Sequence, residues 1–421
     1  MFQLRSLFQQ HRDVSLKLAR HVFFSDFEGH QSLAKGSTRK QTDAFLTLAN
    51  PVLPTAVHKG ESNMVFSPLL MQVVLGLMTA GSAGPSRDEL LSFLKSNSTD
   101  EINYLSSQLV DCVLLDASPN GGLRLSAANS VWVDQSARLK PSFTQIVDNV
   151  YKATSLSVDF ASKPLEVVNQ VNQWAEKETA GLINEILPVD AVDHLTRLVF
   201  ANSLYFKGVW SEKFNASMTK NSEFHLLNGT SVQVPFMTCQ SKRYVKAYEG
   251  FKMLRLPYKR GLDRRHFSMY FFLPDANDGL PGLVEKVTSD SEFLERHLPY
   301  AKVGVPEFRI PKFKISFGFE ASEILKGLGV VSPFSGHALT EMVETICNKG
   351  LFVDSIFHKS VIEIDEEGTK GAAAITDEIG LRSHSGEKVD FIADHPFLFL
   401  IREDGTGVVL FAGSILNPLL E

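Results

Sequence analysis

Cysteine is scarce in this chain, with only three residues among 421. Cys112, Cys239 and Cys347 lie far apart, and none belongs to a CxxC pair or to a cysteine–histidine spacing of the kind that binds zinc. An odd number leaves at least one thiol unpaired, which favours a reducing compartment over a disulfide framework. We therefore predict three buried structural thiols and no metal site.

Long apolar runs are also missing. No segment approaches the roughly 18 consecutive apolar residues of a membrane-spanning helix. Met1–Arg20 carries charges throughout, where a secretory signal would have an apolar core. We therefore expect no membrane partner and a cytoplasmic or nucleocytoplasmic location, with unconventional release from the cell left open.

An excess of positive charge is absent too. The formal net charge is −6, whereas a protein that binds phosphate backbones usually carries a basic footprint. We therefore expect no nucleic-acid partner. One basic cluster stands out, and we interpret it as a solvated strand edge and turn: Lys252, Arg255, Lys259, Arg260, Arg264 and Arg265.

Sequence motifs for catalysis are missing as well. The chain has no GxSxG nucleophile elbow, no HExxH zinc motif, no P-loop and no EF-hand loop. Gly405-x-Gly407 fails as a dinucleotide-binding fingerprint, because Leu410 stands where its last glycine belongs. A Ser/His/Asp triad stays open, since its members meet in space at no fixed sequence spacing. We predict that the chain is not an enzyme and needs no cofactor.

Hydrophobic periodicity predicts helices in the first half of the chain. Pro68–Ala80 is apolar almost all round, which is typical of a buried helix. Ser86–Leu94 continues as a helix, with Ser86 as its N-cap and Glu89 three residues later. Leu165–Leu187 is long and amphipathic, with an apolar stripe made of Val167, Val168, Val171, Trp174 and Ala175.

Apolar runs in the second half predict strands. Leu198–Tyr205 and His266–Leu273 are the first two, and the second ends at a proline. Phe397–Ile401 and Val408–Ala412 flank a turn with glycine, which predicts a buried hairpin. Helices early and strands late favour an α+β fold with large antiparallel sheets.

The chain shows no internal repeat and no linker, so we predict one domain over residues 1–421. Val14–Phe24 has a helical pattern. Phe23–Ser62 contains glycines, prolines and scattered polar residues around a short apolar piece. We interpret residues 23–62 as an insertion or long loop, which is unusual inside a compact domain.

The most informative segment is Glu363–Asp390, a polar stretch between two apolar ones. Gly368, Gly371 and Gly380 oppose a helix there, since each costs about 1 kcal/mol in a helix interior. A short alanine helix within a surface loop is the alternative. Arg382 follows a leucine among small and polar residues, the kind of loop that proteases cut. We interpret the segment as bait that presents Arg382 to a protease.

Ordered sequence motifs run from about Val14 to Pro418. They are Asn63–Pro68 (NMVFSP), Asn172–Trp174 followed by Thr179-x-Gly181-x-Ile183, Asn202–Trp210 (NSLYFKGVW), His358–Lys359 ahead of Glu366–Thr369 (EEGT), and Phe391–Leu398 (FIADHPFL). Together they resemble the serpin family, and the plant serpins most closely. The resemblance implies three β-sheets and about nine helices, with an exposed reactive-centre loop over residues 366–390.

The resemblance also identifies a bait bond, a hinge and a sheet-opening group. The family places the scissile bond fourteen residues after the hinge glycine, which gives Arg382–Ser383 when counted from Gly368. Leu381 before Arg382 is similar to the leucine–arginine pair of plant members. The hinge comprises Glu366, Glu367, Gly368, Thr369, Gly371, Ala372, Ala373 and Ala374, and the sheet-opening group comprises Ser67, Asn202, His358, Trp210 at the first insertion point and Lys312 as a partner for Glu366.

By resemblance, the chain inhibits arginine-specific proteases as a suicide substrate. Its targets would be trypsin-like serine proteases, and also papain-like cysteine proteases or metacaspases. The cut loop would insert into the main sheet and trap the protease in a covalent complex with a monomeric inhibitor. The alternative is a non-inhibitory serpin that serves as a cleavable substrate, carrier or storage protein. The small residues Ala372–Ala374 in the hinge favour the inhibitor.

Strand periodicity tests whether the loop suits insertion. Asp377 falls on the face that the family buries, and an unpaired buried polar group costs about 1–3 kcal/mol, more when charged. Gly371 replaces the usual alanine and adds backbone entropy. Leu70 stands where the family usually has a serine near the sheet opening. From Asp377 and Gly371 we predict inefficient inhibition. The buried face would comprise Thr369, Gly371, Ala373, Ile375, Asp377 and Ile379.

Overall fold

The structure is a computed structural model. The predicted helix Val14–Phe24 and, apart from Ser62, the predicted insertion Phe23–Ser62 lie outside the residues that it describes. Residues 369–387, most of the predicted reactive-centre loop, lie outside them as well. The described residues are 62–114, 116, 123–262, 265–290, 292–336, 338–344, 350–368 and 388–420.

Eight α-helices lie within the described residues. The first follows the predicted buried run: it begins after Ser67, whose Oγ accepts a hydrogen bond from Leu70 N at 3.2 Å. None of these eight helices is long and apolar enough to cross a membrane. The helices are α1 (Pro68–Gly81), α2 (Gly84–Phe93), α3 (Thr99–Cys112), α4 (Pro141–Asn149), α5 (Pro164–Glu178), α6 (Leu280–Ser289), α7 (Phe293–His297) and α8 (Ser322–Gly327).

The start of α2 differs from its prediction. The helix begins at Gly84 with Ala83 as its N-cap, so Ser86 lies buried in the first turn and does not cap the helix. Glu89 was expected to complete a capping box with Ser86. It accepts bonds from Ser332 N at 2.9 Å and Ser332 Oγ at 2.8 Å instead, which ties α2 to a distant turn.

Helix α5 ends earlier than its periodicity predicts. The pattern indicated a helix over Leu165–Leu187, but the helix stops at Glu178. The reason is local, since Ala180 and Gly181 take left-handed backbone angles with φ of 52° and 81°. The predicted apolar stripe is buried at Val167, Val168, Val171 and Ala175, and Trp174 is half-buried.

Sixteen strands lie within the described residues. They are β1 (Met64–Phe66), β2 (Arg124–Asp134), β3 (Thr154–Val158), β4 (Leu198–Lys207), β5 (Lys220–His225), β6 (Ser231–Met237), β7 (Arg243–Tyr248), β8 (Phe251–Pro257), β9 (Phe267–Pro274), β10 (Lys302–Val303), β11 (Phe308–Pro311), β12 (Phe313–Glu320), β13 (Ser355–Ile364), β14 (Phe391–Ile392), β15 (Phe397–Glu403) and β16 (Val409–Ile415).

The strands form three sheets, so the predicted α+β fold with three sheets is confirmed. A seven-stranded sheet has the order β1-β16-β15-β9-β8-β7-β10, and β15 with β16 is the predicted antiparallel hairpin. A four-stranded sheet has the order β14-β11-β6-β5, and a five-stranded sheet has the order β12-β13-β4-β2-β3.

Two apolar clusters hold these layers together. The larger contains α1, whose side chains are buried against the inner faces of the sheets. The smaller lies between the five-stranded sheet and α5, where Trp132 of β2 and Trp174 of α5 meet edge to face with centroids 6.1 Å apart. The five-stranded sheet is therefore covered on one face by α1 and on the other by α5.

The basic cluster and the cysteines depart in part from their predictions. Arg255 is not a solvated edge residue: it is partly buried, with Nη2 2.6 Å from Asp404 Oδ2. Lys259 and Arg260 are exposed, as expected, and Arg264 lies outside the described residues. Cys239 is a free thiol that is half-buried, not fully buried, whereas Cys347 and the side chain of Cys112 lie outside what the structure describes.

Candidate functional site

Strands β4 and β13 form a parallel pair within the five-stranded sheet. Their register covers seven residue pairs, from Val199–Ser355 to Tyr205–Val361. On their outer sides, β4 pairs with β2 over ten antiparallel residue pairs and β13 pairs with β12 over eight. A parallel ladder is slightly less stable per residue than an antiparallel one. The join between β4 and β13, here called the seam, is therefore weaker than the pairings on either side of it.

The upper end of the seam, at Tyr205 and Val361, is already apart. The ladder stops there, although both strands continue further. Just beyond β13 the chain reverses, because Asp365 and Gly368 exchange two backbone hydrogen bonds of 3.2 Å. The predicted hinge thus begins at the open end of the seam.

Gly368 occupies a position that only glycine fits. Its φ is 112°, a backbone conformation that residues with a side chain rarely adopt. A Cβ atom placed there would lie 2.4 Å from Gly208 O and 2.6 Å from Trp210 N. Glycine is therefore required at position 368, where two backbone segments pass close together.

Trp210 fastens this turn to the body of the molecule. Its backbone N donates to Glu367 O at 2.8 Å, and its indole Nε1 donates to Asp365 O at 2.9 Å. The indole is 2% exposed and stacks on Tyr258, with ring centroids 4.5 Å apart. The ring is thus fixed in place beneath the hinge backbone.

Glu366 is held from three sides. Its backbone O accepts a bond from Phe214 N at 2.8 Å. Its carboxylate accepts bonds from Lys312 Nζ at 2.8 Å and from Thr219 Oγ1 at 2.7 Å. Burial opposes ionisation here, but the hydrogen bonds from Lys312 and Thr219 hold the pKa of Glu366 below its ordinary value. The carboxylate is therefore charged at neutral pH and ties the hinge to the residue before β12.

A second polar group lies midway along the seam, around His358. His358 on β13 is opposite Asn202 on β4, and its Nδ1 contacts Asn202 Oδ1. Its Nε2 receives a hydrogen bond from Ser67 N at 3.0 Å, and Ser360 Oγ lies 2.8 Å from the same nitrogen. Because a backbone N–H can only donate, Nε2 carries no proton and Nδ1–H donates to Asn202.

His358 is therefore neutral. The side chain is almost fully buried, and burial lowers its pKa from 6.5 to about 3. Since Ser67 is also the N-cap of α1, the imidazole connects both strands of the seam to the start of a buried helix. Separating β4 from β13 would break the His358–Asn202 contact, which crosses the seam.

Hydrogen bonding near this group is incomplete. Asn202 Nδ2 and Asn129 Oδ1 are buried, lie opposite each other in the β2–β4 register, and make no hydrogen bond within the described residues. Leu70, where the family usually has a serine, is fully buried in the apolar core and supplies no hydroxyl. Each unsatisfied buried group costs about 1–3 kcal/mol. These unsatisfied polar atoms therefore lower the stability of the closed sheet beside the seam.

The far end of the predicted bait segment has its own anchor. Lys388 forms a parallel bridge with Gly304, and Val389 N donates to Gly304 O at 3.1 Å. Phe391 N then donates to Glu307 O at 2.9 Å as β14 pairs with β11. Both flanks of residues 369–387 are thus attached to separate sheets.

The structure brings the predicted site residues together in two groups. Ser67, Asn202 and His358 meet midway along the seam, and Trp210, Lys312, Glu366, Glu367 and Gly368 meet at its upper end. Thr369, Gly371, Ala372, Ala373, Ala374, Leu381, Arg382 and Ser383 lie outside the described residues.

Two contributors were missed from the sequence. Ser360 was detectable, because a residue two positions from His358 in a strand shares its face. Thr219 was not, because it reaches Glu366 from 147 residues away and belongs to no motif.

Comparison with known proteins gives a consistent result. A sequence model described as serpin (serine protease inhibitor) matches residues 43–418. Serpin-ZX of Arabidopsis thaliana is 53% identical over 383 residues, which covers 90% of this chain and 97% of that protein. Serpin-ZXA of Oryza sativa subsp. japonica is 53% identical over 388 residues, covering 91% and 98%. The solved structure of Arabidopsis AtSerpin1 in its native stressed conformation is 52% identical with a TM-score of 0.87, covering 92% and 99%.

Proposed function

This chain belongs to the serpin family of serine protease inhibitors, and on that premise we propose that it is a suicide-substrate inhibitor of arginine-specific proteases with Arg382–Ser383 as its bait bond. The observation that carries the proposal is the parallel seam, which is open at its upper end beside the Gly368 hinge. The first target class is trypsin-like serine proteases. Papain-like cysteine proteases and metacaspases form the second.

The chemistry begins at Arg382. A trypsin-like protease takes the guanidinium into an acidic primary pocket through charge-assisted hydrogen bonds. Its serine oxygen adds to the Arg382 carbonyl carbon, and the peptide bond to Ser383 then breaks. Ser383 leaves with a new amino group, and Arg382 stays bound to the protease as an ester. Hydrolysis of that ester would release the protease, so trapping has to be faster than hydrolysis.

The geometry of the seam favours insertion of the cut loop. Because the chain reverses at Asp365–Gly368, a strand that follows it runs antiparallel to β13. It also runs antiparallel to β4, since β4 and β13 are parallel. One parallel pairing is replaced by two antiparallel pairings, which are more stable per residue. The ester-linked protease is carried to the lower end of the sheet, and its active site is distorted before hydrolysis.

Before cleavage, both ends of the loop are anchored. Gly368 is held at one end beside Trp210, and Val389 is held at the other by Gly304. An intact loop therefore cannot fill the seam without losing one anchor. The closed sheet is a kinetically held state, and the barrier to opening sets the lifetime of the active inhibitor.

A denaturing gel after mixing with trypsin tests the proposal. We expect a band that contains both proteins, with a matching loss of trypsin activity. The variant Arg382→Ala should lose the band, whereas Arg260→Ala, which removes an exposed arginine elsewhere, should keep it. A clipped band with fully active trypsin would contradict inhibition and point to the carrier or substrate alternative.

A further inference from the structure

Asp354 lies at the lower end of the seam, immediately before β13. Its Oδ2 accepts backbone hydrogen bonds from Arg197 N and Leu198 N, both at 2.8 Å. Its own backbone N donates to Leu198 O at 3.0 Å. Three hydrogen bonds therefore join this one residue to the start of β4.

The donors to the Asp354 carboxylate are backbone amides at the start of β4, not a mobile side chain. The guanidinium of Arg197 is engaged elsewhere, since its Nη1 donates to His194 O and Thr196 O. Asp354 is half-buried, and burial raises the pKa of its carboxyl group. Hydrogen bonds to a carboxylate are roughly twice as strong as neutral ones. Because the donors are backbone amides, β4 cannot move away from β13 without breaking them.

We propose that Asp354 is a positioning residue for strand insertion, which holds the lower end of the seam closed and sets how readily an incoming strand completes its entry. The inference rests on the proposed function. The upper end is already apart and His358 lies midway, so Asp354 is the lowest side chain that bridges the seam among the described residues. An inserted strand moves β4 and β13 apart by one strand spacing, about 4.8 Å, which is too far for these bonds to survive.

The bonds of Asp354 therefore exist only in the closed sheet. They stabilise the native form and contribute nothing once a strand has entered. A residue that merely supports the fold would stabilise both forms alike. This difference separates a positioning role from a structural one.

Asp134 provides a matched control. It is a buried aspartate at the end of β2, and it also accepts backbone bonds, from Phe160 N at 3.1 Å and from Ser136 N at 3.1 Å. The partners of its carboxylate lie at the end of β2 and beyond β3, away from the seam, and its backbone N, which an alanine variant keeps, donates to Arg197 O at 2.8 Å. Asp134→Ala should weaken the closed and inserted forms equally.

Peptide annealing tests the inference without a protease. The native protein is incubated with an N-acetylated synthetic peptide that copies its residues 368–382, and the complex is followed on native gels. Asp354→Ala should anneal at least about tenfold faster, since it removes both carboxylate hydrogen bonds and the net loss of even one bond to a charged group corresponds to about that factor. Asp354→Asn keeps an acceptor oxygen and should stay within about threefold of wild type. Asp134→Ala should be no faster than wild type.

Thermal unfolding supplies the second measurement. Asp354→Ala should lower the midpoint of the native protein and leave that of the peptide-annealed protein unchanged. Equal annealing rates for wild type and Asp354→Ala, or equal losses in both forms, would overturn the inference. Asp354→Ser replaces the alanine variant if that variant does not fold. If the proposed inhibition is wrong, trypsin will cleave the wild-type protein without forming a covalent adduct. The peptide assay tests the role of Asp354 independently of that result.

Discussion

His358 on β13 and Asn202 on β4 face each other across the seam, and the imidazole Nδ1–H donates to the amide Oδ1. The ring is neutral because its other nitrogen accepts the Ser67 N–H at 3.0 Å. Protonation would place a second hydrogen against that donor in a buried site. The charge state of one histidine is thus coupled to closure of the sheet.

His358 should make the closed form less stable as the pH is lowered. Its pKa in the native state is about 3, whereas the ordinary value is 6.5. Below pH 6.5 the unfolded chain therefore binds a proton that the native state refuses, and the stabilisation present above that pH is lost as pH falls. We expect a loss of about 2 kcal/mol between pH 7 and pH 5.

Thermal midpoints measured across that range provide the check. His358→Asn removes the titrating ring and should flatten the pH dependence, although its absolute stability will be lower. A variant with the same slope as wild type would show that other groups cause the effect.

Removing the cation beside Glu366 should loosen the hinge. Lys312→Met leaves the Glu366 carboxylate, which is 12% exposed, with the Thr219 hydroxyl as its remaining side-chain partner. Lys312 itself is 35% exposed, so solvent screens part of the pair and we expect a loss of about 1–2 kcal/mol in the native form. Native gels of warmed protein should show that this variant forms polymers faster than wild type.

Lys326→Met is the matched control for that change. The Lys326–Glu323 pair has a similar Nζ–Oε1 distance of 2.7 Å, but it lies on the surface of α8 and Glu323 is 79% exposed. Its loss should alter stability by less than about 0.5 kcal/mol. If both variants behave alike, the Lys312–Glu366 contact has no special role at the hinge.

Adding a side chain at Gly368 should destabilise the native hinge. Gly368→Ala combines an unfavourable φ of 112° with a Cβ only 2.4 Å from Gly208 O. Backbone strain of this kind costs about 1–3 kcal/mol, and the clash adds to it. Circular dichroism on heating should show the native midpoint falling.

Gly250→Ala separates the two effects. Gly250 also has a positive φ, 84°, but no heavy atom lies within 4 Å of a Cβ there. It should show the strain alone, and so a smaller loss. A loss as large as that of Gly368→Ala would mean that the close passage at residue 208 is unimportant.

Replacing Asp377 should make inhibition more efficient. The side chain falls on the face that insertion would bury, so its carboxylate must be neutralised or paired when the loop enters. Titration of trypsin with wild-type protein should require more than one inhibitor per protease, and Asp377→Ala should bring the ratio towards one. Thr376→Ala, on the opposite face, should leave it unchanged. A ratio near one for wild type would disprove the predicted weakness.

Local patterns predicted much of the fold. The apolar run at Pro68–Ala80 became α1, and the runs around Gly405 became the β15–β16 hairpin, because periodicity and turn residues act over a few positions. Where prediction failed, a nearby backbone effect or a distant partner intervened. Periodicity alone overran the end of α5, where Ala180 and Gly181 change the backbone. Arg255 was predicted to be solvated, but its guanidinium pairs with Asp404.

The sequence by itself determined the family, since that depends on ordered motifs along the chain. It also predicted the hinge at Gly368 and the bait bond Arg382–Ser383, which rest on counting along the chain and stay predictions. Only the tertiary structure decided which contacts hold the predicted hinge and the lower end of the seam. Thr219 reaches Glu366 across 147 residues, and Leu198 reaches Asp354 across 156. Such contacts depend on strand register and on which strands become neighbours, and local sequence periodicity contains neither.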